Sequence, residues 1–305
     1  MTEGYTLVIG AAGIDTKGYA LAPLKPGTSN PGKIKSSSGG VARNVTETLA
    51  RLGETVFLLS AIGDDSPGVR IKTRLQQAGI NTDHIIISAR HRTAAYLALY
   101  NHRKSLIHSI DDMSVLQTIT PQIIYRKRSL IHRADMVALD SNLSAEAINS
   151  VMKQAISRDV PVVADPTSTS LAEKWNPHLQ NLYMITPNAP EAEVLSGQTV
   201  RTRQQATAAA QTLVGLGVDI AVVTLAEKGV VYATSDTSGH IPALTTNVVD
   251  ITGASDAMTA AIIFGLLNEF TIDEAVRLGA SAAALTLQTE DSVVRTLTLD
   301  RLYDL

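Results

Sequence analysis

The sequence of 305 residues contains no cysteine, only three phenylalanines and one tryptophan, and almost no excess charge of either sign. The missing cysteine excludes disulfides, thiolate zinc sites and a cysteine nucleophile, and is compatible with a cytoplasmic protein. The longest uncharged apolar run, Ala257 to Leu267, falls short of the roughly 18 to 20 residues that span a bilayer, so a buried helix is expected there. The first twenty residues lack a basic region followed by an apolar stretch, so no signal peptide is expected, and Asp304-Leu305 is no retention signal. With 26 Lys plus Arg against 29 Asp plus Glu, the formal charge of −3 offers no broad field for a polyanion. The basic run Arg126-Lys127-Arg128 with Arg133 reads as a solvated helix face. Neither a nucleic-acid polymer nor a membrane is therefore an expected partner. P-loop, His-x-x-x-His, Glu-x-x-His and serine-elbow patterns are missing as well.

What is present is an alternation of short β-branched runs with Ala- and Leu-rich helical periods. Expected strands are Tyr5 to Ile9, Val56 to Ala61, Met136 to Leu139, Val160 to Ala164, Leu182 to Ile185, Ile220 to Thr224 and Val230 to Ala233. Expected helices are Val41 to Leu52, Gly68 to Ala78, Ala145 to Ser157, Ala189 to Leu195, Arg203 to Leu216, Asp256 to Leu267 and Ile272 to Leu287. Such a rhythm predicts a mostly parallel sheet covered on both faces, an α/β fold. The length allows one or two domains; the order of the motifs described below favours a single α/β domain over residues 1–305. Two segments break it: residues 16–38, rich in Gly, Pro and Ser, and residues 92–112, which read as two strands around a polar turn at Asn101 to Lys104. Strands without following helices do not extend a βαβ sheet, so these are expected to form a small separate β-layer, either a lid or a dimer surface. Gly18 and Pro23 point to loop in the first segment.

Three motifs can carry chemistry. Asp250-Ile251-Thr252-Gly253-Ala254-Ser255-Asp256 leads directly into an apolar helix. A small-residue loop at a helix start presents free N–H groups and the positive end of the dipole to an anion. Asp256 there can accept the proton of an attacking hydroxyl, or it can simply cap the helix. Gly39-Gly40 precedes Asn44, one turn into a helix, where paired glycines admit a ligand and the amide offers a donor and an acceptor to hydroxyls; a tight turn is the plainer reading. Asn188 and Glu191 form a capping-box pattern after a strand, and the same pair at a strand's carboxyl end can hold hydrated Mg²⁺ and phosphate. Asp15 follows the first strand and suits a pair of sugar hydroxyls.

Taken in order and spacing, Gly39-Gly40 to Asn44, Asn188 to Glu191 and Asp250 to Asp256 resemble the ribokinase-like (PfkB) family of carbohydrate and nucleoside kinases, from Tyr5 to near Leu287. The resemblance implies a doubly wound sheet, ATP- and Mg²⁺-dependent transfer to a primary alcohol, and a lid that often pairs two subunits. It also allows K⁺. It makes Asp256 the base and the N–H groups of Gly253, Ala254, Ser255 and Asp256 the anion hole. Asn188 and Glu191 become phosphate residues, with Glu191 reaching Mg²⁺ through water, and Thr224, Gly229 and Ser281 line the nucleotide pocket. Asp15, Gly39, Gly40 and Asn44 become acceptor residues. The lid run Ser29 to Lys35, Ile110 to Met113 and Asp140-Ser141-Asn142 resemble the members that take pseudouridine. This adds Lys33, Thr93, Asp112 and Asn142 to the acceptor side and implies a 5′-phosphate product. Another nucleoside or ribose-like sugar, or a non-catalytic nucleoside-binding protein, are the alternatives.

Two positions depart from the family. Ser255 stands where glycine is usual, costing about 1 kcal/mol if the backbone there is left-handed. Ala226 also stands where relatives have glycine, and its methyl is expected to crowd nucleotide phosphates. A homodimer through the lid is expected to cover Tyr96, Leu97 and Leu99.

Overall fold

A computed structural model describes residues 4–305, so residues 1–3 of the expected domain lie outside the described residues. The strands are β1 (Thr6–Ile9), β2 (Gly13–Ala20), β3 (Gly32–Gly39), β4 (Val56–Gly63), β5 (Ile85–Ser88), β6 (Ala94–Tyr100), β7 (Leu106–Asp112), β8 (Met136–Asp140), β9 (Val162–Asp165), β10 (Met184–Ile185), β11 (Ile220–Thr224), β12 (Val230–Ala233) and β13 (Ser238–Ile241). The α-helices are α1 (Val41–Arg51), α2 (Ser66–Gln77), α3 (Pro121–Arg126), α4 (Arg128–His132), α5 (Ala145–Ile156), α6 (Ala189–Ser196), α7 (Arg203–Gly215), α8 (Ala254–Leu267), α9 (Ile272–Leu287) and α10 (Leu299–Tyr303).

The large sheet runs β13-β12-β11-β10-β9-β8-β1-β4-β5, parallel from β11 to β5, with β12 and β13 antiparallel at one edge. Strand alternation divides the buried residues between two layers. Leu7, Ile9, Val137 and Leu139 pack with Ile148 and Val151 of α5, while Val8, Met136 and Ala138 pack with Val45 and Leu49 of α1 and Ile262 of α8. This is the expected doubly wound arrangement. Strand order reverses at β1 and β8, so the crevice at their carboxyl ends is where a ligand site belongs.

The small sheet has the order β3-β2-β6-β7, with β2 and β6 parallel and the outer pairs antiparallel. The loop expected around Gly18 is instead the middle of β2. Its neighbours explain this: Gly18 lies opposite Ile34 and Leu99, and the Leu99 side chain sits 3.7 Å from where a Cβ would be. Two ladders outweigh the poor strand propensity of one glycine. The short edge strands β5 and β13 were not among the expected ones, and β13, Ser-Gly-His-Ile, carries little strand signal. The ladder also splits the expected dimer residues. Tyr96 lies opposite Asp15, whereas Leu97 pairs with Ile110 on the other face.

Candidate active site

The loop before α8 closes on Gly253, which has φ +82° and no side-chain cap. A Cβ there would come 2.1 Å from the Ser292 carbonyl oxygen, so both the dihedral and the space demand glycine. Ser255 lies inside α8, exposed and helical. The left-handed position is Gly253, and Ser255 carries no such strain, contrary to the concern raised by its sequence. The N–H groups of Ser255 and Asp256 have no acceptor among the described residues, leaving them directed out of the helix start.

Asp256 is 8% exposed, and its Oδ2 accepts a hydrogen bond of 2.5 Å from Asn44 Nδ2. Asn44 is oriented in turn: Ser292 Oγ shares its one hydrogen between Asn44 Oδ1 at 3.1 Å and the Ser38 carbonyl at 3.0 Å, and the buried Arg43 donates to Ser292 Oγ at 2.8 Å. Burial pushes the Asp256 carboxyl up to about 6, while the Asn44 bond and the Arg43 charge pull the other way. A base must be ionised to accept a proton. We therefore expect kcat/KM for the acceptor, which reports the free enzyme, to fall tenfold per pH unit below about pH 6. A rate flat down to pH 4.5 would remove Asp256 from the proton transfer.

Asp15 on β2 approaches so closely that a Cβ on Gly39 would meet its carboxyl at 2.3 Å. Burial raises this carboxyl too, with Arg43 and Lys17 opposing. Gly40, with φ +94°, begins α1 against Ala11, where a Cβ would lie 2.5 Å from the carbonyl oxygen. The β1 turn and the start of α1 are joined by Asp140, whose Oδ2 accepts from Ala11 N at 2.7 Å and Ala42 N at 3.2 Å. Asn142 is half-buried and donates its backbone N–H to the other Asp140 oxygen.

Asn188 and Glu191 do form the capping box: Glu191 N donates to Asn188 Oδ1, and Asn188 N and Nδ2 donate to the Glu191 carboxylate at 2.9 and 2.7 Å. The cap does not exhaust the pair, because each carboxylate oxygen keeps a further lone pair. Among the described residues no three acidic or histidine side chains cluster as a metal cage. That sparse donor set fits Mg²⁺, which keeps waters and phosphate oxygens and takes one or two carboxylates. Thr224 bridges Asn188 across the ends of β10 and β11. Gly229, φ +89°, lies against the Ile241 carbonyl, a close approach that explains it without a nucleotide. Ser281 is buried on α9.

Ala226 is exposed and has φ +51°, so its departure from glycine acts first on the backbone. The left-handed conformation costs about 1–2 kcal/mol for a non-glycine, against about 0.5–1 kcal/mol of extra chain entropy for glycine. Ala226→Gly is expected to leave the melting temperature unchanged or raise it by a few degrees in thermal unfolding. A lower melting temperature would contradict the strain.

The structure does not bring every expected residue together. Lys33 is exposed at the start of β3, where it pairs with Tyr19 on β2 rather than with Asp15, and Asp112 is exposed with its carboxylate bonded to Ser114 N. The Thr93 hydroxyl is engaged by Asp65 at 2.5 Å and Gly63 N at 3.0 Å, where it fastens the base of β6. Four neighbours of the site were not expected, Ser292 beside Asn44 among them. Lys17, 5% exposed, donates to both Asp250 oxygens at 2.7 Å and to Thr252, tying β2 to the loop before α8. Burial raises Asp250, yet the Lys17 bonds hold it below the usual carboxylate range. Asp165 at the end of β9 is pushed well up by burial and then by the charges of Asp256 and Glu191. Arg43 completes the set. Lys17 had one signal, its two-residue spacing from Asp15 on a strand; Ser292 had none.

A family model described as pfkB family carbohydrate kinase matches residues 4–296. The chain is 33% identical over 289 residues to the pseudouridine kinase of Escherichia coli K12, covering 94% of this chain and 92% of that protein. It is 31% identical over 290 residues to the guanosine-inosine kinase of Exiguobacterium acetylicum, covering 94% and 96%. The solved Arabidopsis thaliana ribokinase complexed with ribose and ATP superposes with a TM-score of 0.85 at 21% identity, over 99% of both chains, a likeness of fold.

Proposed function

The chain belongs to the pfkB family of carbohydrate kinases, as a sugar or nucleoside kinase that uses ATP, and from that premise we propose that it phosphorylates pseudouridine at the 5′-hydroxyl. The products are pseudouridine 5′-phosphate and ADP. The observation that carries the transfer is the buried Asp256 carboxylate, oriented by Asn44 at the open start of α8. Asp256 takes the hydroxyl proton as the acceptor oxygen attacks the γ-phosphorus, and the bridging oxygen leaves with ADP. The N–H groups of Gly253 to Asp256 meet the charge on the transferring group. Glu191 and Asn188 would hold Mg²⁺, which neutralises phosphate charge when bound. Asp15 and Asn44 hold ribose hydroxyls, the carboxylate as acceptor and the amide as donor and acceptor.

A nucleoside is favoured by aromatic side chains on the Asp15 face of the small sheet. Tyr96 pairs with Asp15, and Tyr19 stacks on Tyr100 with ring centroids 4.9 Å apart. Tyrosine rings next to a ribose site offer a base both a stacking surface and hydroxyls. Initial rates with ATP and a panel of pseudouridine, uridine, inosine and ribose test this. Pseudouridine is expected to give the highest kcat/KM, and a preference for ribose or inosine would overturn the acceptor while leaving the kinase reading intact.

The opposite face exposes Ile34 by 78%, Leu97 by 51% and Ile110 by 70%, an apolar strip across three strands. This supports a homodimer through the small sheet, with the sheet acting as a lid over the acceptor. Sedimentation equilibrium is expected to give twice the 32.4 kDa chain mass. ATP as phosphate donor fits a cytoplasmic location.

A further inference from the structure

Behind the acceptor side lies an open cleft of 550 Å³ between α1, α2, β3 and the 291–295 segment. Four arginines line it, Arg51, Arg70, Arg74 and Arg295, against two carboxylates, Glu47 and Asp291. Glu47 is fully buried and already shared. It receives Arg43 at 2.8 Å, Arg51 at 2.8 Å and Arg74 at 2.9 Å, three guanidinium groups on one carboxylate. Arg74 and Arg295 share Asp291 at 3.4 and 2.9 Å. Among the described residues Arg70 reaches only the Ser36 hydroxyl, at 3.4 Å, and the buried Arg51 Nε has no acceptor. Positive charge is thus in excess in a concave, partly buried place, where an unbalanced charge is costly and an anion is favoured. Arginine forks with the Ser36, Ser37 and Thr73 hydroxyls nearby suit the geometry of a phosphate.

The back wall of the cleft leads to the base through consecutive hydrogen bonds. Arg74 and Arg43 share Glu47, Arg43 holds Ser292, Ser292 holds Asn44, and Asn44 holds Asp256. We propose that this cleft is a second site that binds a phosphate-bearing small molecule and that its occupancy slows phosphoryl transfer at Asp256. An anion takes donors of Arg51 and Arg74 away from Glu47. With two of its three guanidinium partners withdrawn, the Glu47 carboxylate is no longer fixed from the cleft side and shifts together with Arg43, which draws Arg43 off Ser292 and loosens the Ser292–Asn44 support of Asp256. Arg43 and Ser292 act here as positioning residues.

The test uses Arg70→Gln/Arg295→Gln, because both side chains are exposed and neither belongs to the acceptor or ATP machinery. Inorganic phosphate and a nucleoside 5′-monophosphate are the two arms. At saturating ATP and acceptor, the kcat of the wild-type protein is expected to fall about fivefold or more, the lower end of ordinary coupling between sites. The double variant is expected to keep its basal kcat and KM and to lose that inhibition, together with part of the phosphate-induced rise in melting temperature. A stronger effect of the monophosphate assigns the ligand as a phosphorylated nucleoside or sugar, and equal effects assign free phosphate. Inhibition that is purely competitive with ATP or acceptor, or equal inhibition and equal thermal shifts in the two proteins, would overturn the site.

Discussion

Asp256→Asn is expected to lower kcat by about 10²- to 10⁴-fold, the range typical of general-base loss, while acceptor binding is largely kept. Asparagine preserves the shape and still accepts the Asn44 hydrogen bond, so Asp15 and Asn44 remain placed for the acceptor. The carboxyl is held at about 6, above its ordinary value of 3.8, so folding favours its protonated form over the ionised one that it carries above pH 6. Its contribution to stability is therefore full below about pH 4 and is lost as pH rises through about 6. Asparagine never ionises, so at pH 7.5 the variant is expected to melt at or above the wild-type temperature, with the difference shrinking toward pH 4. A slower but more stable variant would mark Asp256 as a group retained for chemistry. Unchanged turnover would remove it from the mechanism.

Gly253→Ala carries the second largest expected effect. The methyl group meets the Ser292 carbonyl at 2.1 Å while φ stays at +82°, so the loop must move. Moving it displaces the first N–H groups of α8, and the loss of one such donor costs about 10²- to 10³-fold in kcat in comparable anion holes. It also disturbs Ser292, one bond from Asn44, so a lower melting temperature should accompany the loss. Ser255→Gly, two residues on, is the control. Position 255 is exposed and helical, and turnover is expected to stay near that of the wild type. Turnover near the wild-type value in Gly253→Ala would show that the loop tolerates displacement and that the N–H groups do not set the rate.

These neighbouring positions show what the sequence could and could not reveal. Local patterns carried the strand–helix rhythm, the helix starts at Val41, Ala189 and Ile272, and the association of Asp256 with a small-residue loop, because each depends on residues a few positions apart. The motif drew attention to position 255, yet the strained backbone is at 253, where Ser292 passes; no local pattern encodes a neighbour so distant in sequence. Lys17 and Asp250 pair across 233 positions, and Ser292 and Asn44 across 248, so the supports of the loop and the base become visible only when the chain is folded. The reading of Gly18 as loop failed for a related reason. A glycine in a strand is judged by its propensity, but Gly18 is held by ladders on both sides. Thr93 is the converse case, a residue suited to contact a base whose hydroxyl is already engaged by Asp65.

The most direct test of the central claim is phosphorus NMR of the protein incubated with Mg-ATP and pseudouridine, with products resolved by position. One ADP for each pseudouridine 5′-phosphate, and no phosphate on the secondary hydroxyls, is the predicted result. ADP released without a phosphorylated nucleoside, or phosphate on the 2′- or 3′-oxygen, would contradict it.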